Sequence, residues 1–380
     1  MLWQAFKGTG AALRILILNW RDITHPQAGG AERFVHEIGK RLARHNEVTL
    51  FCGSYPGSKE EERIEGMKVV RAGGRFSVYI RALLNFKRGA YDIVLDDVNG
   101  IPFFSTLYSD APVIPILHHI VGWKLFSREL PFPLSAIGWM CERSIPIFYR
   151  NRRFIVVSES TRQELMDELH VPPEDITVVN NGIDIDLTAL QQKALFPTVA
   201  YVGRIKGYKR VEDIVRAFAK VHEWSTTAKL IIAGRGEMSA LRELVERLGI
   251  SDSVDFREGV DEDEKVRILS SAWVFVTASM KEGWGLSPLE ANACGTPAIS
   301  YDVPGLRDSI RDGYNGILVR NGDIDSLAMK IHIVISDNDL ISKLSANGRE
   351  WASRFTWDRA ADDTRRIMEE VCGQDRRGVD

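Results

Sequence analysis

The sequence predicts an α/β protein of two doubly wound domains, each with a mostly parallel sheet. Three observations carry this. At 380 residues, the chain exceeds what one ordinary hydrophobic core organises, so two domains are the default. Short apolar runs alternate with stretches of helical periodicity, as expected of strands covered on both faces. The alternation also restarts once, near Thr198, after a polar and irregular stretch at 180–195 that reads as a linker.

The elements follow in order. Residues 14–20, RILILNW, form the first strand. After the loop RDITHPQAGG, the apolar positions Ala31, Phe34, Val35, Ile38 and Leu42 recur at helical spacing. Further strands are read at 48–52, 68–72, 93–95, 113–117, 154–158 and 177–179, with a helix at 161–169. In the second half, strand 198–202 precedes a helix marked by Val211, Ile214, Val215 and Phe218. Strand 229–233 ends at Gly234-Arg235-Gly236, and a helix carrying Leu241, Leu244, Val245 and Leu248 stops at Gly249. Strand 254–256, helix 262–271, strand 273–277 and strand 297–301 complete the unit. A last helix starts near Thr356, a good N-cap, and runs to about 371. The boundaries drawn are 1–185, 186–355 and 356–380. In open α/β sheets ligands bind beyond the carboxyl ends of the strands, so the site is expected in loops after strands, at a cleft between the domains.

Bulk composition narrows the function. Net charge is -3, without the basic excess of a general nucleic-acid binder. The four cysteines, Cys52, Cys141, Cys294 and Cys372, are too scattered for a zinc site or disulfide framework. No run approaches about 18 apolar residues, so no membrane span is expected. The N-terminal MLWQAFKGTGAA lacks an apolar h-region and does not read as a signal peptide. A cytoplasmic protein is the simplest reading.

Four stretches carry chemistry. In KEGWGLSPLEANACG, Ser287 precedes Pro288 and stands three residues before Glu290, the spacing of a capping box on a new helix. The same segment also suits a ligand. Gly283 and Gly285 permit close backbone approach, a helix start offers N–H groups to a diphosphate, and Glu282 and Glu290 can accept hydrogen bonds from sugar hydroxyls. Both readings stand on local pattern. In GRIKGYKR, Arg204 and Lys209 flank a glycine turn after a strand, either as a solvated basic loop or as a phosphate clamp. Gly29-Gly30 opens the first helix without a GxGxxG fingerprint. His118-His119 follows the strand VIPIL, where a histidine can donate a hydrogen bond or act as acid or base. Asp96-Asp97 reads as a pair of polar strand-end residues facing an acceptor, with no third ligand nearby to make a metal site.

Together these motifs resemble the retaining glycosyltransferases of family 4, the glycogen synthase-like group 1 enzymes, over nearly the whole chain. EGWGLSPLEANACGTPAIS is similar to the family's E-x7-E signature, GGAERFVHEIGKRLA to its first helix, and APVIPILHH to its sugar-proximal histidine segment. VVNNGIDI resembles the family's "PNGVD" hinge, with Asn180 in place of proline. YVGRIKGYKR resembles its phosphate clamp, with Arg210 in place of glycine. FTWDRAADDTRRIMEEV resembles the helix that crosses back onto the first domain.

The resemblance implies the GT-B fold, with two Rossmann-like domains facing across a cleft. It implies transfer of a hexose, with retention and an alpha linkage, from a UDP- or GDP-sugar to a hydroxyl on a lipid-linked or polysaccharide glycan. It also implies roles. Arg204 and Lys209 would neutralise the leaving diphosphate. Glu282 would hold the transferred sugar, aided by backbone at Gly283, Gly285, Leu286 and Ser287. Glu290 would hold the ribose, Val260 would lie by the base, Gly29 and Gly30 would meet the phosphates, and His118 would touch the donor sugar. No cofactor and no metal is expected.

Residues 122–153 set six cations against two acids and interleave Trp123, Phe126, Phe132, Trp139, Phe148 and Tyr149. They read either as helices packed in the first domain or as a peripheral contact to the inner face of the cell membrane. The rival functions are an NDP-sugar epimerase or nucleotide-dependent dehydrogenase, a sugar-binding protein without catalysis, and a catalytically silent transferase-like subunit. The first lacks its glycine fingerprint, the second lacks the signal peptide of exported binders, and the third sits poorly with the intact Glu282, Glu290, Arg204 and Lys209.

Overall fold

A computed structural model describes residues 12–185 and 190–375. Most of the N-terminal stretch MLWQAFKGTGAA, residues 186–189 of the 180–195 linker and residues 376–380 therefore lie outside the described residues. The chain divides into two compact units, Met1–Gly182 with Trp357–Asp380, and Ile183–Thr356.

The first unit contains the strands β1 (Arg14–Leu18), β2 (Glu47–Cys52), β3 (Glu61–Ile64), β4 (Met67–Arg71), β5 (Ile93–Val98), β6 (Val113–Leu117), β7 (Phe154–Val156) and β8 (Ile176–Val178). Its helices are α1 (Gly30–Leu42), α2 (Ser77–Asn85), α3 (Gly122–Glu129), α4 (Leu134–Arg143), α5 (Ile145–Phe148) and α6 (Glu159–Leu169). The strands form one sheet in the order β3-β4-β2-β1-β5-β6-β7-β8. Only the β3–β4 pair is antiparallel. Leu16 and Leu18 of β1 face a core shared with Val78 and Ala82 of α2, Ile145 of α5 and Leu165 of α6. On the other face, Gly39 of α1 packs so closely on Ile17 and Met67 that a Cβ there would lie 2.3 Å from the Met67 sulfur.

The second unit contains β9 (Thr198–Val202), β10 (Lys229–Gly234), β11 (Val254–Glu258), β12 (Val274–Thr277), β13 (Ala298–Tyr301) and β14 (Gly316–Val319). They form a wholly parallel sheet in the order β11-β10-β9-β12-β13-β14. Its helices are α7 (Val211–Trp224), α8 (Ser239–Arg247), α9 (Glu262–Ser271), α10 (Leu286–Ala293), α11 (Leu306–Ser309), α12 (Ile324–Ile335) and α13 (Asn338–Ala352). The strand order reverses between β9 and β12, and the loops after these two strands carry GRIKGYKR and KEGWGLSP. The last helix, α14 (Trp357–Asp375), belongs to the first unit. There Trp357 is fully buried with its ring 6.2 Å from Phe34, and Asp358 accepts from Arg41 at 2.6 Å.

Several local readings are corrected. The strand read at 14–20 ends at Leu18, because Asn19 already turns into the loop. β3, α2 and β14 carried no strong periodic signal and went unread. The helix expected from Ser287 starts one residue earlier, at Leu286, with Gly285 as its flanking residue and no side-chain cap. The capping box is therefore not formed. Asp96 and Asp97 are inside β5 rather than at its end. Asp96 is fully buried and accepts from Ser105 Oγ at 2.6 Å and Tyr149 Oη at 2.5 Å, so it is a core group and faces no acceptor.

Candidate active site

In the second unit the candidate residues converge on the loops beyond β9 and β12. After β9 the chain passes Gly203-Arg204 and makes a single 3-10 turn at Gly207–Lys209. The loop after β10 closes against it. The Ile205 N–H donates to the Arg235 carbonyl at 2.8 Å, and a Cβ at Gly234 would sit 1.8 Å from the Gly203 carbonyl oxygen. Only glycine admits that approach. Tyr201 Oη donates to the Arg204 carbonyl at 2.8 Å, while Arg204 Nη2 donates to Tyr208 Oη at 3.1 Å. Arg210, which stands where the resemblance expects glycine, adopts φ 47° and anchors its guanidinium on Asn321 at 2.9 Å.

The loop after β12 is tied to this turn. Met280 N–H donates to the Tyr208 carbonyl at 2.8 Å, and Lys209 Nζ donates to Glu282 Oε1 at 2.5 Å. Both side chains are largely but not wholly enclosed, at 15% and 18% exposure. Burial works against the Lys209 ammonium, but the Glu282 carboxylate and the phenols of Tyr208 and Tyr201 outweigh it and hold the group above the usual lysine range. Lys209 is thus a fixed cation at neutral pH. Glu282 is positioned through its backbone, whose N–H donates to Pro304 O at 3.1 Å. Gly305 follows at φ 79°, and a Cβ there would fall 2.2 Å from the Glu282 carbonyl oxygen. The Pro304-Gly305 pair was the available sequence signal for this support.

Gly283, Gly285, Leu286 and Ser287 lead into α10, and Gly285 N–H donates to Gly305 O at 3.1 Å. Glu290, one turn into the helix, is buried. Its Oε1 accepts from Lys265 Nζ of α9 at 2.9 Å, and that ammonium also meets Glu262 at 2.6 Å. Lys265 was not read from the sequence, since nothing in its local pattern links it to a carboxylate 25 positions on. Val260 lies between β11 and α9 and packs on the core beneath.

Gly29, Gly30 and His118 belong to the first unit. Gly30 begins α1. The Gly29 N–H donates to Glu32 Oε2 at 2.7 Å, and Arg21 Nε donates to Glu32 Oε1 at 2.9 Å. His118 leaves β6 with its ring edge-on to Phe34 of α1 and its Nε2 2.7 Å from Asp97 Oδ1. Burial pushes the Asp97 carboxyl up, against the opposing effect of His118. Asp97 Oδ2 and the buried Asn19 amide have no hydrogen-bond partner among the described residues.

A glycine-bounded turn with two basic side chains, one paired to a carboxylate, and a helix start beside it can accommodate a polyanion next to a polyol. Residues 28–187 match the family model for glycosyltransferase family 4, and residues 189–351 match that for glycosyl transferases group 1. A D-inositol 3-phosphate glycosyltransferase of Streptomyces bingchenggensis is 30% identical over 393 residues, covering 90% of this chain and 85% of the relative. The chain belongs to the family 4, group 1 glycosyltransferases. A second relative of the same name, from Thermobispora bispora, is 30% identical with 88% of each chain covered. Among solved structures, sucrose-phosphate synthase from Thermosynechococcus elongatus superposes on this glycosyltransferase with a TM-score of 0.77 at 19% identity, covering 95% of this chain and 100% of that one. The Anabaena HepE complex with UDP and glucose gives 0.71 at 16%, covering 94% and 100%. These likenesses show that the glycosyltransferase has the GT-B fold.

Proposed function

We propose that this glycosyltransferase moves a hexose from a UDP- or GDP-sugar to a hydroxyl of a lipid-linked or polysaccharide glycan, with retention and an alpha linkage. The observation that carries the reading is the Lys209–Glu282 pair, which joins a fixed cation to a carboxylate at the reversal point of the second unit's sheet. With donor bound, Lys209 and Arg204 would meet the diphosphate. Glu282 would accept from hydroxyls of the transferred sugar, and Glu290 from those of the ribose. Backbone at Gly283, Gly285, Leu286 and Ser287 would aid Glu282 in holding the transferred sugar, and Val260 would flank the base. In the first unit, Gly29 and Gly30 would approach the phosphates and His118, oriented by Asp97, would touch the sugar. The bond from the anomeric carbon to the diphosphate oxygen breaks, the acceptor oxygen bonds to that carbon on the same face, and the acceptor proton passes to the departing diphosphate. Catalysis then rests on leaving-group charge and positioning, without a metal.

A hydrolysis screen of UDP- and GDP-sugars tests this without an acceptor. One donor should release its nucleoside diphosphate slowly, and EDTA should leave the rate unchanged. Loss of one desolvated cation in Lys209→Ala or Arg204→Ala should cost about 3 kcal/mol, roughly a hundredfold in rate. Near-normal turnover in both variants would dismiss the clamp. Rescue of an EDTA-treated enzyme by Mn²⁺ would dismiss metal independence. Acceptor assays should include inositol phosphate, the substrate class in the relatives' name, beside lipid-linked glycans. Residues 122–153 would serve as the contact to the membrane that carries the acceptor.

A further inference from the structure

Among the described residues, every large apolar side chain that the first unit exposes by more than a third lies between Phe76 and Ile147. They fall on three elements. α2 buries Val78 and Ala82 in the core and turns Ile80 and Leu84 outward, at 62% and 68% exposure. The short turn Ser105–Leu107 presents Leu107 at 65%. The α3–α5 segment presents Phe132 at 80% and Ile147 at 73%, and Trp123, Ala136, Trp139 and Met140 line an open apolar notch of about 400 Å³.

These elements form one connected surface. Phe86, just after α2, packs on Tyr108 at 5.3 Å, and Phe104 packs on Phe148 at 5.1 Å. Thr106 Oγ1 donates to the Phe148 carbonyl at 2.7 Å. α2 and α5 also cover the same sheet face, opposite α1.

Charge selects the occupant. Residues 75–88 contain four cations, Arg75, Arg81, Lys87 and Arg88, all exposed, and no acid. Lys124, Arg128 and Arg150 add exposed positive charge beside the second apolar group. Of the two acids in 122–153, Glu142 is buried and accepts the Val121 and Gly122 amides at 2.5 and 2.9 Å, so it does not oppose that charge at the surface. Two copies of such a face would bring like charges together, whereas an anionic bilayer takes both the cations and the apolar side chains.

We infer that α2, the Leu107 turn and the α3–α5 segment together dock on an anionic lipid surface. This rests on the reading of 122–153 as a membrane contact and extends it to α2, which is remote in sequence. The full chain should co-sediment with equimolar phosphatidylcholine/phosphatidylglycerol vesicles and not with phosphatidylcholine alone. Each surface cation contributes roughly fivefold to partitioning, so Arg81→Ser with Lys87→Ser should weaken binding about twentyfold. Ile80→Ser with Leu84→Ser should weaken it at least tenfold. Both pairs are exposed and leave hydrolysis of soluble donor unchanged. That readout separates failure of the docking surface from failure of the transferase reading. Wild type remaining in the supernatant with the anionic vesicles would overturn the inference. So would α2 variants that bind like wild type, or a dimer in sedimentation velocity that the Ile80/Leu84 pair dissociates.

Discussion

Glu290 is held by Lys265, whose ammonium it shares with Glu262. Its role is therefore separable from helix capping, because a glutamine at 290 retains an acceptor oxygen for Lys265 while losing the charge that ribose hydroxyls would meet. Glu290→Gln should melt like wild type and raise donor KM about tenfold or more, the cost of one charge-assisted hydrogen bond. A normal KM would remove Glu290 from the donor site. Asp97 poses a different residue-scale question. An acid held above its ordinary value keeps its proton more readily in the folded chain than in the unfolded one. Its contribution to stability therefore falls as pH rises from 3.8 through the folded value. Asp97→Asn removes that loss and still offers an oxygen to His118. Urea unfolding across acid to neutral pH should show the variant gaining stability relative to wild type as pH rises. A constant difference would mean that the buried carboxyl does not titrate with folding.

At the scale of elements, α10 separates local pattern from tertiary control. Ser287 and Glu290 have capping-box spacing, yet the helix begins at Leu286 because the Gly305 loop holds Gly285 and Glu282 by backbone hydrogen bonds. Ser287→Ala should cost less than about 0.5 kcal/mol. By contrast Ser158 does cap α6, accepting from Thr161 N–H at 3.1 Å, and Ser158→Ala should cost about 1 kcal/mol or more. Equal losses in urea unfolding would return the cap to Ser287. The same contrast explains what could be read in advance. β6 and β9 were legible to the residue, since VIPIL and TVAYV are fully buried runs. β3, EERI, is a half-exposed edge strand with little apolar content, and α2 shows no clean amphipathic period because its outer face is apolar as well. Lys209 and Glu282 are 73 positions apart, so spacing alone could not pair them. They were grouped through the family resemblance, while their supports Gly305 and Tyr208, and the Lys265 partner of Glu290, went unread.

For the whole molecule, the division is discontinuous in sequence. The first unit takes its last helix from the chain's C-terminal end, after the second unit is complete. Trp357 is the hinge of that arrangement in energetic terms, since it is fully buried and packs on Phe34 of α1 while the neighbouring Asp358 meets Arg41. Truncating a buried tryptophan costs about 3–5 kcal/mol through lost transfer energy and the cavity left behind. The second unit has its own core of Val199, Ile214, Phe218 and Ile232, while Trp357 and Phe34 both belong to the first. Trp357→Ala should therefore raise deuterium uptake in peptides of β1–β8 and α1. It should leave β9–β14 protected. Uniform loss of protection across both sheets would show instead that the two units unfold as one.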